Sequence, residues 1–453
     1  MNRLSPTIGP AAFLILLAMP FSVSAAQNSP GVQVPAGAAL RLEDIERIAL
    51  EKNPTLAQAE AAIQSARGRR RQAGAYPNPT VAVTGDEISN GPVINGGEYG
   101  LIVQQDIVLG GKLALNKRIA EQEIIKAEAQ AEAQKLRVLN TVRALFYQAL
   151  AVQRKLEVRT RLAALVEEAV VTSGQLRNVG QADLPDVLEI EIEQQRAELA
   201  VIAARNEQQQ VWSQLASAAG DGSLEMQPLA GDLEQIPVLD LGSAMAALLR
   251  DSPEVKAANA DIVRAEYAVR RAQRQSIPNL QIQAGAHYNR ERLEPGPRAI
   301  GRQGSFAIGV EIPLFNRNQG NVEAARGNLT RAQREIERVQ LSLRSRLAAA
   351  FRNYQDTRNI VERYRNEMLP RARRAYDLYL AGFRQMAAAY PQALIAQRTL
   401  LQLQEDYDNA LIGMWRRAVD IQSLLLQGGL SAPGLGSENP STDSVNLEIE
   451  ETS

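Results

Sequence analysis

Twice in this chain a short alternating segment runs straight into a helix far longer than a compact domain can use. That coupling limits the fold more than any other feature. In "EYGLIVQQDIVLGGKLALNKRIAEQE", Glu98 to Glu123, the residues alternate as a strand and turn at Gly110-Gly111. They then follow helical spacing with no stop signal for about sixty residues, roughly 90 Å of helix at 1.5 Å per residue. The same succession returns near residue 310.

The return belongs to a duplication of nearly the whole chain, and a repeat of this size organises everything else. "LEKNPTLAQAEAAIQSARGRRRQA" from Leu50 answers "LRDSPEVKAANADIVRAEYAVRRA" from Leu249. Further on, "PTVAV" from Pro79 answers "PNLQI" from Pro278, Asp106-Ile107 answers Glu311-Ile312, and Phe146 answers Phe351. Each unit reads helix, strand, loop, strand, very long helix, turn, helix. The spacing predicts a first repeat over 40–220, a Gly/Pro-containing linker over 221–242 and a second repeat over 243–427. Residues 428–453, with five acids and no Lys or Arg, read as a disordered, solvated tail. Residues 1–26 read as an export signal: Arg3, the apolar run Phe13 to Met19, then the small residues Ser22 to Ala26. That run is too short to cross a bilayer, and no uncharged apolar run of about 18 residues follows it.

The helices carry seams. Val187, Ile190, Gln194, Ala197, Val201, Ala204, Gln208, Val211 and Leu215 keep a 3-4 spacing. Leu329, Ala332, Ile336, Val339, Leu343, Leu347, Ala350 and Tyr354 keep it too, as does a run from Ala396 to Leu425 with small departures. Such spacing lays one stripe along a helix for side-by-side packing. A soluble coiled-coil rod would account for the helices alone, but it leaves the strands unexplained.

The strands change the reading. Phe306, Ile308, Val310, Ile312 and Leu314 alternate with Ser305, Ala307, Gly309 and Glu311. Leu280, Ile282, Ala284, Ala286 and Tyr288 alternate with Gln281, Gln283, Gly285, His287 and Asn289. Tyr99, Leu101, Val103, Ile107 and Leu109 form one face of a further strand, and Thr80 to Glu87 alternates less cleanly. Runs of about ten residues match tilted strands crossing a bilayer. Only four strands are present, in two hairpins, with no second layer to cover them. A sheet edge cannot face lipid, and single-chain barrels begin at about eight strands, so several chains must share one barrel. The loops Ser89 to Gly97 and Glu291 to Gln303 are polar and turn-rich, as external loops are.

"NP" at Asn53-Pro54, "YPNPTVAV" from Tyr76, "QQDIVLGGK" from Gln104 and "VGQADLPDVLEIE" from Val179 resemble the TolC-like outer-membrane efflux channels, over about Leu40 to Leu426. "VLGGK" is most similar to the CzcC-like branch associated with divalent heavy-metal efflux. The resemblance implies a mainly α fold with a transmembrane β part: a duplicated long-helix α-barrel, plus four strands per protomer in a shared twelve-stranded barrel. It also implies a homotrimer in the cell outer membrane and its lipid, with the helical tunnel in the periplasm. The implied partners are a periplasmic adaptor (membrane fusion) protein and an inner-membrane transporter of the resistance–nodulation–division (RND) type. In that family acids after the second unit's helix–helix turn narrow the periplasmic entrance. This chain has Gln392, Leu394 and Ile395 there, so an acidic entrance ring would come from Asp183, Asp186 or Glu189 of the first unit. A same-fold duct for drugs or secreted polypeptides remains an alternative, as does a periplasmic coiled-coil adaptor protein.

Composition excludes most chemistry. There is no Cys and one His, His287, so disulfides, thiolate sites and a His cluster are absent, and no phosphate-cradling motif appears. The expectation is a non-enzyme without cofactor or resident metal, and a formal net charge of -1 gives no reason for nucleic acid. Asp106 and Glu311, at matching places in the two units, are candidates for an acidic ring in the pore that favours cations, or for ion pairs with a nearby Arg or Lys. Arg384 and Asp186, near the two helical tips, are candidates for entrance contacts between protomers or with the adaptor.

Overall fold

The computed structural model describes residues 39–86, 97–178, 183–292, 299–384 and 390–433. The expected export signal, nearly all of the first external loop, the middle of the second and residues 434–453 of the expected tail lie outside them.

Each unit opens on two helices rather than the one expected: α1 (Leu42–Lys52) and α2 (Pro54–Ala73), then α5 (Leu241–Asp251) and α6 (Pro253–Arg274). A proline restrains the residue before it from helical geometry and suits the first helical position, so each break falls at the residue before Pro54 or Pro253. Asn53 accepts from the Thr55 N–H and Ser252 from the Glu254 N–H, which caps α2 and α6.

Four strands follow these helices in pairs: β1 (Thr80–Asp86), β2 (Glu98–Ile107), β3 (Leu280–Arg292) and β4 (Ala299–Val310). They form one antiparallel sheet in the order β1-β2-β3-β4, because β2 also pairs with β3 across the two units. The fourth strand stops at Val310, so Ile312 and Leu314, expected within it, lie beyond the ladder where Pro313 cannot donate.

α3 (Lys112–Asn178) is an unbroken 67-residue helix, about 100 Å long. Gly110 and Gly111, at φ +74° and +69°, make the left-handed turn that sends the chain from β2 into it. In the second unit Asn318, at φ 63°, stands before α7 (Gln319–Arg363). The second long helix is interrupted: a π turn, Tyr364–Met368, separates α7 from α8 (Leu369–Arg384). Pro370 lacks the N–H owed to Asn366 and its ring crowds that carbonyl, which the wider π turn accommodates. α4 (Leu184–Ala218) and α9 (Tyr390–Gln422) return alongside.

Below the sheet, α2, α3, α6 and α7 pack in that order, matching the strand order above them. Farther down, α4 packs on α3, α3 on α9, and α9 on both α7 and α8. The seams are where the sequence puts them: Val187, Ile190, Ala197, Val201, Ala204, Val211 and Leu215 are buried, as are Val339, Leu343, Leu347 and Tyr354. The beginning of the expected solvated tail is an exception. Gly429 is buried, its N–H donating to Thr141 Oγ1 and its carbonyl accepting from Gln134 Nε2 at 3.0 Å.

Candidate functional site

Residues directly opposite in a ladder project to the same face, so the register settles what each face of the sheet carries. Val81, Val103, Ala284 and Phe306 are aligned across all four strands, and Val83, Leu101 and Ala286 extend the row. Ile107, Leu280 and Val310 align at one end of this face and Tyr99 with Tyr288 at the other. On the opposite face stand Thr80, Gln104, Gln283 and Ala307, with Gly100 beside His287 and Asp106 beside Gln281. The apolar face is uncovered: Val83 is 81% exposed and Phe306 69%. Among the described residues the outer edges of β1 and β4 have no strand partner.

Asp106 therefore lies on the polar face near the helical end of the sheet, where its Oδ1 is buried and accepts no hydrogen bond among the described residues. Glu311 is exposed and just past the ladder, so the two repeat-related acids do not share one local structure. His287 Nε2 is 3.5 Å from Glu98 Oε2 on the same polar face. At the junction with the helices, Lys112 Nζ donates to Asn279 Oδ1 at 2.7 Å and Arg271 Nε to Asn116 Oδ1 at 2.8 Å. Burial holds both cations below their ordinary pKa.

At the far end, Asp183 precedes α4 and Glu189 lies in it, both exposed, while the side chains of Asp186 in α4 and Arg384 ending α8 are outside the described part. Of the second unit's departures from the family pattern, Leu394 is buried and Ile395 exposed. An ion pair that sequence reading missed joins the returning helices here: Arg398 of α9 and Glu193 of α4, with Arg196 Nη1 also on Glu193 at 2.7 Å.

The larger omission concerns the linker, which is a belt bound to both units. Leu229 and Leu233 are buried, and Leu40 bridges Leu229 in parallel. Gln153 of α3 both donates to and accepts from Leu229. Trp415 of α9 donates to the Leu233 carbonyl at 2.9 Å and stacks on Tyr147 of α3 at 3.8 Å. Glu234 accepts from Arg154 of α3 at 2.8 Å and from the Tyr407 hydroxyl of α9, with Arg365 of the π turn 3.8 Å away. Beside it Asp408 is 6% exposed, its nearest cation Arg154 at 3.8 Å and its Oδ1 without a hydrogen bond. Burial, aided by Glu234 and Glu405 and opposed by Arg154 and Lys155, raises its pKa to about 6. The available signal was two tryptophans, Trp212 and Trp415, each needing an acceptor for its indole N–H. Trp212 finds it in the Leu224 carbonyl.

Among the described residues, no group of three or more His, Cys, Asp or Glu could hold a metal ion. None of their helices is long and apolar enough to cross a membrane.

The pattern of the family described as "Outer membrane efflux protein" matches residues 47–221 and 245–425, on either side of the belt. A "Cobalt-zinc-cadmium resistance protein CzcC" from Cupriavidus metallidurans is 25% identical over 390 residues, 86% of this chain and 91% of that protein. A solved structure of CusC, described by its transmembrane channel formation, aligns at 16% identity with a TM-score of 0.69, covering 88% of this chain and 96% of that one. The outer membrane protein VceC from Vibrio cholerae aligns at 19% identity with a TM-score of 0.65, covering 87% and 96%.

Proposed function

The chain belongs to the outer membrane efflux protein family, and we propose that it is the outer-membrane exit channel of a tripartite efflux system, passively conducting divalent heavy-metal cations. The observation that carries the reading is the sheet: four strands whose outer edges are open among the described residues, an uncovered apolar face, and continuation into α3, about 100 Å long, and α7, about 70 Å long. Open edges are untenable in lipid. Three copies closing edge to edge give twelve strands, within the range of outer-membrane barrels. Assembly would also cover a second stripe on α4, opposite its buried seam, where Leu188, Ile192, Leu199 and Ile202 are all about half exposed or more. The four helices below the sheet, in strand order, would continue the barrel as a periplasmic tunnel. Its far end would meet a periplasmic adaptor protein and an inner-membrane pump of the RND type. Asp106 is proposed to face the duct, and Asp183, Asp186, Glu189 and Arg384 to surround its entrance.

Metal as cargo is supported by the CzcC relative and by the "VLGGK" run. A duct that conducts ions without retaining them needs no chelating cluster. The test is growth of a strain lacking this gene on zinc, cadmium, cobalt, nickel and copper, beside dyes, bile salts and antibiotics. Sensitivity confined to metals and restored by the intact gene is the expected result. Sensitivity confined to organic compounds would remove the metal assignment while leaving the channel standing.

A further inference from the structure

Between the end of α2 and the first turns of α3 lies a cavity of about 700 Å³, within the roughly 300–1,000 Å³ of small-molecule sites. Its lining holds five cations, Arg67, Arg70, Arg71, Lys117 and Arg118, and one carboxylate, Glu121. Arg70 and Arg118 both reach Glu121, at 3.3 and 3.0 Å, while Arg67 lies 3.5 Å from Glu128 outside the lining. Among the described residues, Arg71 and Lys117 have no carboxylate within ion-pair distance. Arg70 Nε is buried and hydrogen-bonds to nothing among them. Two acids, Glu121 in the lining and Glu128 outside it, thus serve five bases, which leaves a surplus of positive charge facing the cavity. Ile124 and Ile125 complete the wall and make it amphipathic.

The position in the chain says which anion. Six residues separate the end of α2 from β1, and four separate the end of β2 from α3. The connectors between sheet and helices carry exposed aromatics, Tyr76 at 68% and Phe315 at 93%. Aromatics in such a place mark the edge of the hydrocarbon layer, and cations just beyond them meet phosphate headgroups. The second unit repeats the pattern: α6 ends on Arg270, Arg271 and Arg274.

We propose that this cavity binds the phosphate headgroup of an anionic phospholipid in the periplasmic leaflet, anchoring the base of the barrel at a set depth. The inference rests on the outer-membrane reading above.

The test is native mass spectrometry of the full-length oligomer in detergent, titrated with phosphatidylglycerol or with phosphatidylcholine of the same acyl chains. Glycerol 3-phosphate serves as a soluble competitor. The expected result is retention of the anionic lipid about tenfold over the zwitterionic one, lost in the Arg71→Ala/Lys117→Ala double variant. Arg71→Lys/Lys117→Arg should keep the preference. Equal retention of the two lipids overturns the inference, as does an unchanged preference in the double alanine variant. Full displacement by glycerol 3-phosphate would make this a free-anion site and also overturn it. Outer-membrane fractionation of the wild type separates the two levels. Oligomer in that fraction without lipid preference sinks this inference alone, whereas its absence there sinks the channel reading beneath it.

Discussion

Val103→Arg is expected to abolish assembly in the outer membrane, whereas Gln104→Arg, one residue away, is expected to leave it largely intact. Val103 is aligned with Val81, Ala284 and Phe306 on the uncovered apolar face, near mid-strand. Gln104 projects to the other face beside Gln283 and Thr80. A cation on the lipid face near the bilayer midplane costs about 2–4 kcal/mol per site, and a symmetric oligomer incurs it in every protomer. A cation facing an aqueous duct costs far less. The readout is the amount of oligomer in the outer-membrane fraction for each variant. Equal amounts for both would contradict the assignment of faces.

The second large effect concerns the belt. With its pKa at about 6, Asp408 lies above the ordinary value of 3.8. Between roughly pH 4 and 6 the folded chain therefore binds more protons than the unfolded one, and stability falls as pH rises through that window. Above pH 6 the buried carboxylate exerts its full penalty, on the order of 3 kcal/mol for a shift of about two units. Asp408→Asn removes the ionisation and keeps an acceptor, while Arg154 retains Glu234 at 2.8 Å. The variant should unfold at a higher temperature than wild type at pH 7, with the difference shrinking as pH falls through that window and vanishing only below about pH 3.8. Thermal melts of the helical circular dichroism signal across that range provide the check. Parallel pH profiles would show that Asp408 is not the group responsible.

What could be read in the sequence was whatever repeats over many residues. The 3-4 seams predicted the buried positions of α4 and α7 because a stripe of eight or nine residues averages out single exceptions such as Gln194 and Gln208. Strand alternation assigned Phe306 and Leu101 to one face, and the ladder agrees. Features resting on one or two residues were less accessible. Pro370 was visible, but whether a helix breaks or widens into a π turn there depends on neighbours that pattern does not name. Glu311 matched Asp106 by position in the repeat, yet Pro313 shortens β4 and leaves Glu311 outside the ladder. The belt was read as a connector because its apolar residues have no regular period. Leu229 and Leu233 find their partners on helices far away in sequence, and only the fold brings Arg154, Glu234 and Tyr407 together.

The central claim is that identical copies close a ring by joining the outer edge of β1 to the outer edge of β4. Because the chain contains no cysteine, disulfide formation between introduced thiols can test it without background. Val81→Cys on β1 would be combined in turn with Phe306→Cys, Ile308→Cys and Val310→Cys on the same face of β4. Membranes would then be oxidised and run on a non-reducing gel. The account predicts that at least one pair yields covalent dimers and trimers and nothing larger, while each single-cysteine control stays monomeric. Monomers in every pair, self-linking through β1 alone, or a ladder continuing past three copies would contradict it.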